Sequence, residues 1–365
     1  MLAREALPGA ALEIAPIDGV LEALQTRFDL VLIDASAAPA PLLMEAIESL
    51  ARRPVQPGVL LTGAHLPAGL VRTLMKLRRS DVVESPFVPA DLARAAAGLV
   101  EAAPQAASPS CRCWSVMGAV GGAGATTIAI ELAAAMAKRA GRDRKVALID
   151  LNLADGAAAA YLGASSNMLL SGASLTPERI DASILGAFAA PLDWGLDLFA
   201  SPRDPQAFTR VDPAAVCRVL EVACQVYEWI VVDLPRLRQP WTLDVLAGGD
   251  ETLIVSELTV PALLSARALA GEIEMELSGA KPPRLVLNRL SSRAFGPAPS
   301  QREAEKALQR KVDGAITSDW EAAACSVNLG GPISHHRPRS KIVKDIATLV
   351  DRLGSQAADS MARAG

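Results

Sequence analysis

The sequence predicts an α/β chain of two domains, each built on a parallel sheet with helices against both faces. Three observations carry this. Short apolar runs that close on an acid recur along the chain, and stretches of helical composition stand between them. A small, proline-bearing segment over 101–110 divides the runs into two sets, as an interdomain linker does. Alternation of strand and helix means parallel pairing. At 365 residues the chain accommodates two domains, at ~150 residues apiece. The divisions expected are 1–100, the linker 101–110, a second domain over 111–355 and a flexible tail over 356–365.

Composition narrows the function classes. Apolar residues make up 51% and aromatic residues 4%, which suits buried cores and leaves little for stacking on bases. The net charge of -4 gives no global field for nucleic acid, and no nucleic-acid partner is expected. Five cysteines, at 111, 113, 217, 224 and 325, form no C-x-x-C pair, and their odd number argues against a disulfide framework. A reducing cytoplasm fits this usage. The chain shows neither a basic-then-apolar leader nor ~18 uncharged apolar residues in a row, so neither secretion nor a membrane span is expected.

In the first set, the run over 28–34 ends on Asp34 and reads as a buried parallel strand with its carboxylate at the C-terminal edge. A helix over 42–52, a strand over 58–63, a helix over 68–78, a short strand over 81–84 and a helix over 90–100 follow. This order resembles the receiver domain of two-component response regulators, a flavodoxin-like fold. Asp34 stands where the phospho-accepting aspartate would be and Thr62 where the switch hydroxyl would be, while Ser85, Pro86 and Phe87 replace the usual Lys-Pro-Phe. Ser85 removes the lysine, and the segment before Ala11 is too short for a first strand bearing the acids that hold magnesium. Asp34 is therefore read as a strand-end acid that is not phosphorylated, in an atypical, truncated receiver-like domain.

The second set opens on a strand-like start at Ser115 that runs into Gly121, Gly122, Ala123, Gly124, Ala125, Thr126 and Thr127, then into a strong helix former over 128–137. Strand, glycine turn and helix N-terminus form a phosphate cradle, because backbone N–H groups and the helix dipole converge on one anion. The G-x-x-x-x-G-K-[ST] template places lysine at Ala125. Further strands are read over 145–152, 194–201, 229–235, 252–256 and 284–289, with helices over 213–226 and 262–276. Asp150 and Asp233 close two of those strands, on the edge that carries the loop. A glycine loop with two strand-end acids points to magnesium and a nucleotide: Thr126 as direct ligand, Asp233 and Asp150 through water.

The loop resembles the deviant Walker A sequence K-G-G-x-G-K-T-T of the ParA/MinD ATPases. Within that group, Asp150 to Gly156, Val231 to Arg236, and Gly330, Gly331, Pro332 and Ile333 followed by Arg339, Ser340 and Lys341 look like the CpaE/TadZ branch. That branch joins an atypical receiver domain to a ParA-like ATPase domain and belongs to Flp (tight adherence, Tad, type IVc) pilus assembly. The resemblance implies a P-loop NTPase fold, ATP with Mg2+ as ligand, a homodimer, and pilus machine partners at the cytoplasmic face of the inner membrane, at a cell pole. It also implies that Asn288 contacts adenine; a turn asparagine is the alternative.

Three positions depart from the pattern. Val120 replaces the signature lysine, Ala125 the loop lysine, and Asn152 the aspartate that positions water. Each lost charge-stabilising group costs about 2.7–4 kcal/mol of barrier in phosphoryl transfer, and the losses point one way without adding. The expectation is ATP binding with poor or absent hydrolysis and no catalytic residue, hence a scaffold. An active ATPase cycling between monomer and dimer is the alternative, and a DNA-binding response regulator ranks last. Arg236 and Arg238 are read as solvated loop arginines, with a rescuing cation as the alternative. The apolar stripe Ile342, Val343, Ile346, Leu349, Val350 and Leu353 is expected to pack on the sheet, with peripheral membrane contact the alternative. His335 and His336 read as a solvated loop pair.

Overall fold

The computed structural model describes residues 6–7, 10, 12–14, 28–37, 39–51, 57–64, 66–74, 77, 79–101, 111–141, 145–170, 176–206, 210–277, 281–291 and 300–363. The chain divides into two compact units, Met1–Ser110 and Cys111–Ala364. Most of the stretch read as a linker, 102–110, lies outside the described residues, as does most of the segment before residue 28.

The first unit holds three parallel strands in the order β1 (Leu30–Asp34), β2 (Gly58–Gly63), β3 (Ser80–Glu84). Helices α1 (Ala40–Ala51), α2 (Ala68–Leu74) and α3 (Pro89–Glu101) accompany them. The central strand β2 is buried along its length, and its alternation decides the layers. Val59 and Leu61 pack with Leu43, Ile47, Leu50 and Leu70 of α1 and α2, while Leu60 packs with Leu92 and Leu99 of α3. Helices thus cover both faces.

The second unit is an eight-stranded sheet in the order β11-β10-β9-β4-β8-β5-β7-β6. Its strands are β4 (Arg112–Gly118), β5 (Val146–Asp150), β6 (Ala190–Leu192), β7 (Leu196–Ala200), β8 (Trp229–Leu234), β9 (Glu251–Glu257), β10 (Arg284–Leu290) and β11 (Gly314–Thr317). All pairs are parallel except the β6–β7 hairpin, turned at Gly195 with φ +74°. Neither β6 nor β11 is among the strands read from sequence; at three and four residues they are too short to show a pattern.

Helices α4 (Ala125–Ala140), α5 (Ala158–Leu162), α6 (Ala182–Phe188), α7 (Pro213–Val226), α8 (Thr242–Gly248), α9 (Val260–Glu276), α10 (Gln301–Leu308), α11 (Trp320–Leu329), α12 (Ile333–His336) and α13 (Lys341–Arg363) complete the unit. Strand β4 divides the two cores: Trp114 and Val116 point into one with α4 and α13, Cys113 and Met117 into the other with α7 and α9. The stripe Ile342, Ile346, Leu349, Val350 and Leu353 is buried against the α4 side. Arg139 of α4 ties it down through the Ala347 carbonyl, 2.8 Å, and Asp351, 2.7 Å. The apolar face is thereby occupied by protein. Helix α13 runs from Lys341 to Arg363 and so includes most of the stretch read as a tail. Among the described residues no helix is long and apolar enough to cross a membrane.

Candidate functional site: a glycine loop between two buried acids

Strand β4 leaves the sheet at Gly118, and the Ala119 N–H fixes the exit by donating to the Val255 carbonyl at 2.8 Å. The chain then turns through Gly122 and Gly124, at φ +76° and +89°, which lie in the left-handed region that side chains disfavour. Gly124 has a second constraint: a Cβ there would stand 2.3 Å from the Asn288 amide nitrogen. It is also the N-cap of α4, and no side chain caps that helix. The first-turn N–H groups, at Ala125, Thr126 and Thr127, therefore face the loop as an anion site does.

The two acids meet on the same edge. Asp150 of β5 is the register partner of Asp233 in β8, and Asp233 pairs in turn with Val116 of β4. Both are buried, at 2% exposure. Their environments differ. Asp150 accepts from the Asn152 and Ala158 N–H groups at 3.0 and 3.1 Å, so it organises the 151–157 turn. A Cβ on Gly156 would stand 2.7 Å from Asp150 Oδ2, so the turn closes over the acid only with glycine. Burial raises the Asp150 carboxyl above its ordinary range against these donors. Asp233 is held well above that range by burial and by the Asp150 charge, while the Thr126 hydroxyl pulls the other way. Its Oδ2 is buried with no hydrogen-bond partner.

An orphaned carboxylate oxygen beside a hydroxyl and a second acid is a hard oxygen donor set, and it fits Mg2+. Thr126, Asp233 and Asp150 are the residues that would hold it. Among the described residues no group of three His, Cys, Asp or Glu side chains is placed to hold a metal ion.

The other expected residues fall as follows. Val120 and Ala125, in the two lysine positions, pack against the α4-side core. Asn152 starts the turn after β5 with its N–H on Asp150. Asn288, the expected adenine reader, is buried at 8% exposure; Nδ2 donates to the Ala123 carbonyl at 2.8 Å and Oδ1 accepts from the Arg289 N–H. Its amide braces the loop from β10. Arg238 is exposed and lies between Glu272 and Glu276, at 3.1 and 3.0 Å, so it is a solvated arginine with two carboxylate partners. Arg236 lies against the loop, with Nε 3.5 Å from the Ala119 carbonyl. The histidine pair is corrected too: it sits in the α12 turn, with His336 Nε2 on the Gly330 carbonyl at 2.6 Å and His335 against Trp194.

In the first unit Asp34 and Thr62 are register partners at one sheet edge. Asp34 is exposed and accepts from the Ser36 N–H and hydroxyl, at 2.9 and 2.5 Å, and Thr62 bonds the Ile33 carbonyl.

Sequence reading missed Glu131. This α4 residue is 2% exposed, and it accepts from the Ile333 and Ser334 N–H groups at 2.5 and 3.2 Å. It therefore ties the Gly330–Ile333 motif to the helix that follows the phosphate loop. Burial raises its carboxyl to about 7, against those two bonds.

Comparison with known proteins agrees with this architecture. No family model matches the chain. Over 128 residues it is 24% identical to the septum site-determining protein MinD of Bacillus subtilis, a match that spans 34% of this chain and about half, 47%, of that protein. A ParA family ATPase from Chlorobium tepidum superposes with a TM-score of 0.58 at 26% identity, covering 66% of this chain and 98% of that one. MinD from Pyrococcus horikoshii, solved with Mg-ADP, gives 0.56 at 19% identity, covering 68% and 97%. The chain is similar to ParA/MinD-type ATPases and carries their P-loop NTPase fold.

Proposed function

We propose that this chain is a nucleotide-binding scaffold whose second unit keeps the ParA/MinD phosphate cradle while the charges of hydrolysis are gone. ATP with Mg2+ is its ligand: residues 121–127 cradle the phosphates, Thr126 meets the metal, and Asp233 and Asp150 hold it through water. Asn288 sets the loop from below. The observation that carries this reading is Asp233 Oδ2, buried without a partner beside Thr126 at the mouth of a glycine loop. Buried polar groups are paired as a rule, and a bound ion accounts for the exception here.

Hydrolysis is poor or absent in this reading. Val120 and Ala125 support it, being half-buried apolar side chains in the positions of the two lysines, and so does the amide at Asn152. The bound nucleotide then stabilises one conformation by mass action. The motifs shared with CpaE/TadZ proteins support a role as localisation factor for Flp (Tad) pilus assembly. In that role the protein is a homodimer on the cytoplasmic face of the inner membrane at a cell pole, bound to other pilus components. The first unit is an atypical receiver-like domain in which Asp34 carries no phosphate. MinD structures with Mg-ADP and with MinC lend support to a nucleotide-bound, partner-bound state.

An active ATPase is the second reading, favoured by the intact acid pair at the metal position. Calorimetric titration of the full chain with Mg-ATP tests the common ground. Binding that needs Mg2+ and weakens at least about tenfold in Thr126→Ala supports the cradle; no binding at millimolar nucleotide removes it.

A further inference from the structure

We infer that Arg236 supplies, from within the same chain, the positive charge that Val120 and Ala125 withhold from the phosphate loop, its guanidinium binding the terminal phosphates of the nucleotide. The inference rests on the cradle reading above. It starts from the register of the sheet. Strands β4 and β8 are parallel neighbours, with Met117 opposite Leu234, and both leave the sheet at one edge. Ala119 is two residues beyond Met117 and Arg236 two beyond Leu234, so the two exits run side by side. Pro235, with its fixed φ, holds the second. The contact between Arg236 Nε and the Ala119 carbonyl, 3.5 Å, is where that register delivers the side chain.

Commitment of charge separates Arg236 from its neighbours. Arg238 is neutralised by Glu272 and Glu276, and Arg289, at the end of β10, by Glu257. Among the described residues Arg236 has no carboxylate partner. One long bond to a neutral carbonyl does not account for an exposed guanidinium at this place. With Nε turned to the loop, both terminal NH2 groups remain as a planar fork, the geometry that grips phosphate oxygens in pairs. The site also needs such a group. Two buried acids and no lysine make a poor electrostatic match for a polyphosphate, even after one divalent ion is counted.

The test is calorimetric titration of the full chain with Mg-ADP and with a slowly hydrolysed Mg-ATP analogue, beside the urea midpoint of each variant. Arg236→Ala is expected to weaken both nucleotides about 10- to 100-fold with an unchanged midpoint. Arg236→Lys is expected to fall between the natural chain and Arg236→Ala, since it keeps the charge and loses the fork, and Arg238→Ala is expected to match the natural chain. Adding Ala125→Lys to Arg236→Ala is expected to restore most of the affinity. Natural affinity in Arg236→Ala overturns the inference and leaves the cradle standing. Equal losses in Arg236→Ala and Arg236→Lys also overturn it, because charge is then not what the residue supplies. Absence of nucleotide binding by the natural chain removes the cradle, and the inference with it.

Discussion

Glu131 gives the sharpest stability prediction because its environment is closed and its partners are the Ile333 and Ser334 N–H groups and the Ser334 hydroxyl. Burial raises the carboxyl from 4.5 to about 7, so the folded chain holds this proton more tightly than the unfolded chain does. The sign follows directly. The stabilisation is fully present below about pH 4.5, declines as pH rises and is gone once pH passes about 7. A shift from 4.5 to about 7, at about 1.36 kcal/mol per unit, makes the ionised form about 3 kcal/mol costlier to bury. Glu131→Gln stays neutral throughout and keeps one oxygen for the Ile333 N–H. Its stability relative to the natural chain should therefore climb by about 2.5 kcal/mol between pH 5 and pH 8. Urea unfolding followed by tryptophan fluorescence reads this, since Trp114 and Trp241 are buried in the same unit. Parallel pH profiles for the two proteins would refute the reasoning. Glu131→Ala leaves two helix N–H groups unpaired and should cost about 2–4 kcal/mol at pH 5, a cost that shrinks toward pH 8 as the natural chain loses its own stabilisation.

Other outcomes follow from the same geometry. Asp233→Asn replaces a carboxyl whose ionisation burial and the Asp150 charge resist, so the nucleotide-free melt should change little while Mg2+-dependent nucleotide binding is lost; thermal melts with and without Mg-ATP show both. Gly124→Ala puts a Cβ against the Asn288 amide and strains a φ of +89°, so it should destabilise the unit by about 1–3 kcal/mol and weaken nucleotide at least tenfold by calorimetry. Asn288→Ala unpairs the Ala123 carbonyl and should weaken ATP, ADP and inorganic phosphate by similar factors. An adenine reader would instead spare the phosphate alone.

What the sequence made legible was whatever physics writes locally. Strands buried on both faces must be apolar throughout, and strands β5 and β8 were readable for that reason, down to the acids that close them. The loop was readable because only glycine reaches the φ values it needs. Pairings between distant positions were not. Glu131 looks like any surface acid on an alanine-rich helix until Ile333, 202 residues later, brings its N–H to it. Arg236 and Arg238 are equivalent in sequence, and only Glu272 and Glu276 on α9 tell them apart. Asn288 shows the same limit: its amide suits a base edge or a carbonyl, and nothing in the sequence says that the Ala123 carbonyl lies 2.8 Å from Nδ2.

Phosphate release by the full chain under saturating Mg-ATP is the most direct test of a cradle kept without its catalytic charges. The account predicts turnover at or below about 10⁻² s⁻¹ while calorimetry shows the nucleotide bound. Magnesium-dependent turnover above about 1 s⁻¹ that disappears in Thr126→Ala would contradict it and establish an active ATPase.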